Sequence, residues 1–112
     1  MALGINPRGD IVGQYTAASI THGFLLHEGT FTTIDAPGAS STQAQGVNPR
    51  GDIVGQYSAG GITHGFLLDK DGSFTSIDIP GASSSAALSI SPQGDILGTY
   101  SVGATTHGFL AR

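Results

Sequence analysis

Cysteine and tryptophan are absent from this 112-residue chain, and only four residues are Lys or Arg. Without cysteine there can be no disulfide, no thiolate metal ligand and no cysteine nucleophile. Four cations against eight acids leave a net charge of −4, so there is no basic patch to neutralise a phosphate backbone. Nucleic acid is therefore not an expected partner. No apolar run approaches the roughly 18 residues that cross a bilayer as a helix, so a membrane is not one either. Met1-Ala2-Leu3 lacks the basic start of a secretory signal, although a chain processed after export looks the same.

What the chain has in quantity is glycine, 18 residues, and Ser or Thr, 23 residues. Leu, Ile, Val and Phe together number 27, about 24%, above the roughly 20% below which chains tend to stay unfolded. The length suits one domain, or part of one assembled from several chains.

Internal repetition decides the fold. Gly4-Ile5-Asn6-Pro7-Arg8-Gly9-Asp10-Ile11-Val12-Gly13-Gln14-Tyr15 recurs 42 residues later as Gly46-Val47-Asn48-Pro49-Arg50-Gly51-Asp52-Ile53-Val54-Gly55-Gln56-Tyr57. After 43 more it returns as Ser89-Ile90-Ser91-Pro92-Gln93-Gly94-Asp95-Ile96-Leu97-Gly98-Thr99-Tyr100. Thr21-His22-Gly23-Phe24-Leu25-Leu26 has copies at 63–68 and 106–110, and Phe31–Ser40 has one copy, Phe74–Ser83. The chain is one repeat domain over 1–112, with units 2–43, 44–86 and 87–112.

Each unit holds four short runs rich in Ile, Val, Phe, Tyr and Thr, separated by turn residues and too short for helices. In the second unit they are 44–48, 52–58, 63–68 and 74–78. Asn-Pro-Arg-Gly is a turn by construction, because Pro presets φ and Gly accepts the positive φ that follows. His27–Thr30 and Asp69–Ser73 form hairpin loops of four and five residues, which explains the drift from 42 to 43. Glycines recur inside strands at Gly13, Gly55 and Gly98 and at Gly23, Gly65 and Gly108, which points to sheets stacked at short distance. The class is all-β.

Four antiparallel strands in about 42 residues is the arithmetic of a propeller blade, and three units of this size also suit a β-trefoil. The pattern Ile-Asn-x-x-Gly-x-Ile-Val-Gly, then His-Gly-Phe-Leu, then Gly-x-Phe-Thr-x-Ile-Asp resembles the bacterial extracellular HAF-type repeat, with His-Gly-Phe in place of its His-Ala-Phe core. That resemblance implies a propeller-like sheet fold and a secreted or cell-surface location, and brings no established activity. Three blades, the last lacking its fourth strand, fall short of the four to eight that close a ring. Closure therefore calls for a second copy, and a homodimer of about six blades is the simplest.

Candidate chemistry is sparse. Pairing Leu26 with Phe31 sets His22 opposite Asp35, and pairing Leu68 with Phe74 around the longer loop sets His64 opposite Asp78. His107 has no such partner. A carboxylate-oriented imidazole beside hydroxyls such as Ser19, Ser40 and Ser41 is the arrangement acyl transfer uses. His22, Asp35, His64, Asp78 and His107 are thus the candidates for a hydrolase of lactonase or esterase type, or for an axial divalent ion. The competing reading is a His–Asp pair that locks each hairpin, and identical placement in successive units favours it, because active sites usually break repeat symmetry. In a propeller the third strand stands away from the axis, so no metal or cofactor is expected there.

Asp10 and His22 lie at opposite ends of their strands and form no dyad. His27 and Glu28 occupy the equivalent loop of the first unit and read as solvated. Asp69-x-Asp71-Gly72 is explained by its hairpin turn rather than by calcium. Arg8-Gly9-Asp10 and Arg50-Gly51-Asp52 spell an integrin-recognition tripeptide, but the third copy is Gln93-Gly94-Asp95, so turn geometry is what persists. The links and loops at the other end offer hydroxyls without charge: Ser19, Ser40, Ser41, Thr42, Ser83, Ser84 and Ser85 are the expected ligand-binding residues. The expectation is a non-catalytic module, structural or binding a ligand such as carbohydrate, with itself as partner. Near-identity of units one and two also fits an excised or engineered repeat fragment without activity.

Overall fold

The computed structural model describes residues 2–111, among which there are eleven strands and no helix. The first unit supplies β1 (Ala2–Ile5), β2 (Ile11–Ala17), β3 (Ile20–His27) and β4 (Thr30–Ile34). The second supplies β5 (Ser41–Val47), β6 (Ile53–Ala59), β7 (Ile62–Leu68) and β8 (Phe74–Ile77). The third supplies β9 (Ser84–Ile90), β10 (Ile96–Val102) and β11 (Thr105–Ala111). Within each unit consecutive strands pair antiparallel, as short connections require.

The strands form two sheets, one of eight strands (β1 to β8) and one of three (β9 to β11). A single parallel pairing, Thr21 with Ser41, joins the first two meanders. No barrel closes among the described residues, which argues against the β-trefoil, a fold built around one.

The meanders pack face to face: β5 lies against β2 and β3, and β9 against β6 and β7. One core forms between units one and two from Val12, Ile34, Ala44, Val47, Ile53 and Phe66. A second forms between units two and three around Val54, Ala87 and Ile96. In each joint the earlier unit offers one face of its sheet and the later unit the opposite face. A strand's side chains alternate, so Val12 and Val54 look forward while Ile53 and Ile96 look back.

The six repeated strand glycines divide into two kinds. A Cβ on Gly23 would lie 3.4 Å from the Ala44 amide nitrogen, and one on Gly65 would lie 3.2 Å from that of Ala87. These two permit the close sheet approach. Gly13, Gly55 and Gly98 instead pair across their own sheet with Phe24, Phe66 and Phe109. The rings of Phe66 and Phe109 lie over Gly55 and Gly98 and cover the glycine backbone.

Three further details differ from the sequence reading. The first hairpin turn is only Glu28-Gly29, at φ 50° and 81°, because His27 and Thr30 already pair. That is the two-residue turn whose twist suits flanking strands. The serine-rich links are shorter than expected, since Ser41, Thr42, Ser84 and Ser85 belong to β5 and β9. Each unit's first strand also carries an unpaired extra residue, Leu3, Gln45 or Leu88, where the register slips by one.

Candidate functional site

The hairpin register brings each expected imidazole to its carboxylate. His22 Nδ1 lies 2.7 Å from Asp35 Oδ1, and His64 Nδ1 lies 2.5 Å from Asp78 Oδ1. Both aspartates stand just past the ends of β4 and β8, so each pair ties the chain down beyond the last ladder bond. The contact places the proton of the neutral ring on Nδ1. Each imidazole also stacks on a tyrosine directly across the ladder: Tyr15 on His22 and Tyr57 on His64, with centroids 5.2 and 5.0 Å apart.

The tyrosine hydroxyls are engaged in turn. Tyr15 Oη meets Thr33 Oγ1 at 2.7 Å, and Tyr57 Oη meets Ser76 Oγ. His107 stacks on Tyr100 in the same way, but it is exposed and has no carboxylate partner among the described residues. The Tyr–His–Asp cluster thus fastens the second, third and fourth strands of a unit together. No hydroxyl bonds either paired imidazole among the described residues, so no nucleophile joins the pair.

The hydroxyls proposed from the sequence sit as follows. Ser40 and Ser83 donate through Oγ to the carbonyls of Ser58 and Ser101 at 3.2 and 3.1 Å. Thr42 and Ser85 are buried and accept the amides of Ala36 and Ile79. Ser41 and Ser84 open their strands opposite Ser58 and Ser101. Ser19 lies exposed in the tight turn after β2, at φ 67°. Most of these groups shape the links themselves, and Ser19, Ser40 and Ser83 are the exposed ones.

At the opposite end the structure reveals groups that the sequence reading passed over. His27 is only partly solvated: its side chain is 40% exposed, and its Nδ1 bonds the buried Asp10. The Asp10 carboxyl is held below its ordinary pKa of 3.8, chiefly by that bond, then by Asn6, with further help from the charges of His27 and Arg8 against the opposing effect of burial. One extra step of the β2–β3 register, past Ile11 and Leu26, leads to this pair.

Asn6 and Asn48 are the other omission. Asn48 Oδ1 accepts the amides of Arg50 and Asp52 at 3.1 and 2.9 Å. Its Nδ2 donates to Asp52 Oδ2 at 3.1 Å and to the Ser91 carbonyl, 43 residues on, at 3.0 Å. Asn6 does the same for Arg8, Asp10 and the Asn48 carbonyl. Each asparagine therefore fills all four hydrogen-bonding positions of its amide and links its unit to the next. The third copy, Ser91, retains one such bond, accepting the Asp95 amide at 3.0 Å.

Among the described residues no three His, Cys, Asp or Glu side chains converge as a metal site. No protein-family model, curated protein or solved structure matches this chain.

Proposed function

We propose that the chain is a non-catalytic repeat module, each meander a propeller blade, that closes into a ring by association with itself. The observation that carries this reading is the repetition of the joint. Gly23 against Ala44 and Gly65 against Ala87 use the same contact, and the Asn6 and Asn48 amides cross it to equivalent carbonyls. A joint made twice in register is a rule for adding units, and units added by one rotation form a ring or a helix.

The likeness to the HAF-type repeat, and the exported location it implies, belong to the same proposal. The ligand surface is the link end, where Ser19, Ser40 and Ser83 present hydroxyls beside uncharged backbone, a chemistry suited to carbohydrate. The hydrolase reading is weaker, because the His–Asp pairs recur unit by unit, carry no bonded nucleophile and are accounted for as hairpin clamps.

Light scattering at micromolar concentration tests the ring. The expected mass is that of two chains of 11.3 kDa each. A mass of one chain refutes it. Glycan-array screening tests the ligand class, and absence of binding at millimolar saccharide counts against carbohydrate.

A further inference from the structure

The two ends of the stack expose the two halves of the joint that is made twice inside it. Backward-facing residues that are covered in the later units are open in unit one. Ile5 is 67% exposed where its counterpart Val47 is 8%, and Phe31 is 56% exposed where Phe74 packs into the first core. Forward-facing residues behave in the opposite order. Val12 and Val54 are fully buried, whereas their counterpart Leu97 is 55% exposed. Leu110 is likewise exposed where Leu25 and Leu67 pack into the two cores. Gly108, the counterpart of Gly23 and Gly65, has only the Gly98 carbonyl of its own sheet near it, where theirs face Ala44 and Ala87.

We infer that the forward face of unit three docks the backward face of unit one of a second copy, head to tail. In this joint Ala2 of the second copy takes the place that Ala44 and Ala87 occupy inside the chain, and Phe31 the place of Phe74. The inference rests on the self-association reading above and names the surfaces that make it. Both surfaces are apolar, and each has the partner face on the same chain, so the contact is heterologous and a second copy is its occupant. An apolar cavity of about 470 Å³ beside Leu88, Leu97, Phe109 and Leu110 is where the incoming side chains seat.

The docking face of unit three is not a plain copy of those in units one and two. Ser89 replaces Gly4 and Gly46, and a Cβ on Gly46 would lie 3.2 Å from the Leu88 carbonyl. Ser91 replaces the asparagine, so no amide reaches the second copy. Leu97 replaces valine and adds apolar surface. The joint between copies therefore has one hydrogen bond fewer and a backbone approach that the Ser89 side chain obstructs, and it is the one that opens on dilution.

Complementation tests the inference. Leu97→Glu blocks the forward face and Phe31→Glu the backward face, and both side chains are already exposed in the single chain, so the fold is retained and circular dichroism verifies it. In a two-copy ring each variant alone destroys both joints, and both are expected to run as single chains. An equimolar mixture keeps one good joint, from the forward face of the Phe31→Glu chain to the backward face of the Leu97→Glu chain. The expected result is recovery of a 1:1 pair in the mixture.

Failure of the mixture to pair up to millimolar concentration, with the wild type still dimeric, overturns the head-to-tail joint and leaves ring closure to some other surface. Wild-type filaments together with pairing in the mixture overturn the ring and uphold the joint. A wild type that stays single at all concentrations overturns both. As a second arm, Ser89→Gly with Ser91→Asn restores the internal pattern and is expected to tighten wild-type association by about tenfold, the worth of one recovered hydrogen bond. Unchanged or weaker association would mean that the joint does not repeat the internal geometry.

Discussion

Replacing Asn48 by Ala removes four hydrogen bonds at once. The amides of Arg50 and Asp52 lose their acceptor, and the Asp52 carboxylate and the Ser91 carbonyl lose their donor. The side chain is fully enclosed, so water does not replace it in place. At about 1 kcal/mol net for each bond the cost is about 3–4 kcal/mol. For a chain of this length that lowers Tm by about 12–16 °C, at about 4 °C per kcal/mol.

Two companion variants locate the effect. Asn48→Ser is expected to recover about 1 kcal/mol, because Ser91 shows that a hydroxyl in this turn still accepts one amide. Asn48→Asp keeps both acceptor bonds but turns the donating edge into an acceptor facing Asp52 and the Ser91 carbonyl, and is expected to cost at least as much as Ala. Urea unfolding followed by circular dichroism measures all three against wild type. If Asn48→Ala unfolds within about 1 kcal/mol of wild type, the amide does not bridge units two and three and the reasoning from its four bonds fails.

Three other substitutions probe the remaining features. Gly65→Ala drives a Cβ to 3.2 Å from the Ala87 nitrogen and the Ile77 oxygen, both backbone, and is expected to cost about 1–3 kcal/mol in urea titrations; a neutral result would deny the close stacking. Asp10 has a folded pKa below its ordinary 3.8, so its contribution to stability is present above that value and is lost as pH falls through the folded one. Asp10→Asn should flatten the loss of urea midpoint between pH 5 and pH 2, about the range over which a depressed carboxylate titrates, and an unchanged acid limb would contradict the pairing with His27. His64→Gln removes a partly exposed hydrogen bond to Asp78 and a ring stack, for a loss of about 1 kcal/mol with no change in background ester hydrolysis. Lost turnover at unchanged Tm would instead support the hydrolase.

The strands were legible because Gly, Pro and Asn punctuate them at a fixed period, and the His–Asp pairs because hairpin register follows from loop length. The one-residue excess of Asp69–Ser73 over His27–Thr30 was enough to place both pairs. Long-range roles were less legible. Asn48 reads locally as the start of a turn, and nothing in its neighbours announces a bond to Ser91. The bond of His27 to Asp10 is hidden because the second unit has Asp69 at the histidine's position, so repetition argues against a pair that the β2–β3 register contains. The extra residue is leucine in two units, Leu3 and Leu88, and glutamine in the other, Gln45, since a bulge is a feature of backbone pairing and tolerates either side chain. Serine gave the links a loop-like composition, yet Ser41 and Ser84 extend the strands because small hydroxylated residues fit an edge as well as a turn.

Thr21 and Ser41 carry the one backbone pairing between the first two meanders among the described residues, and this makes the molecule mechanically segmented. A chain pulled by its ends loads that pairing and the side-chain faces long before it loads the ladders inside a meander. Under tension the array parts between units first. Each unit then unravels on its own, the second releasing a contour length of about 150 Å, the span of residues 41–83 drawn out, and the three-stranded third, Ser84–Ala111, only about 95 Å, so extension proceeds in separate steps and not in one collapse.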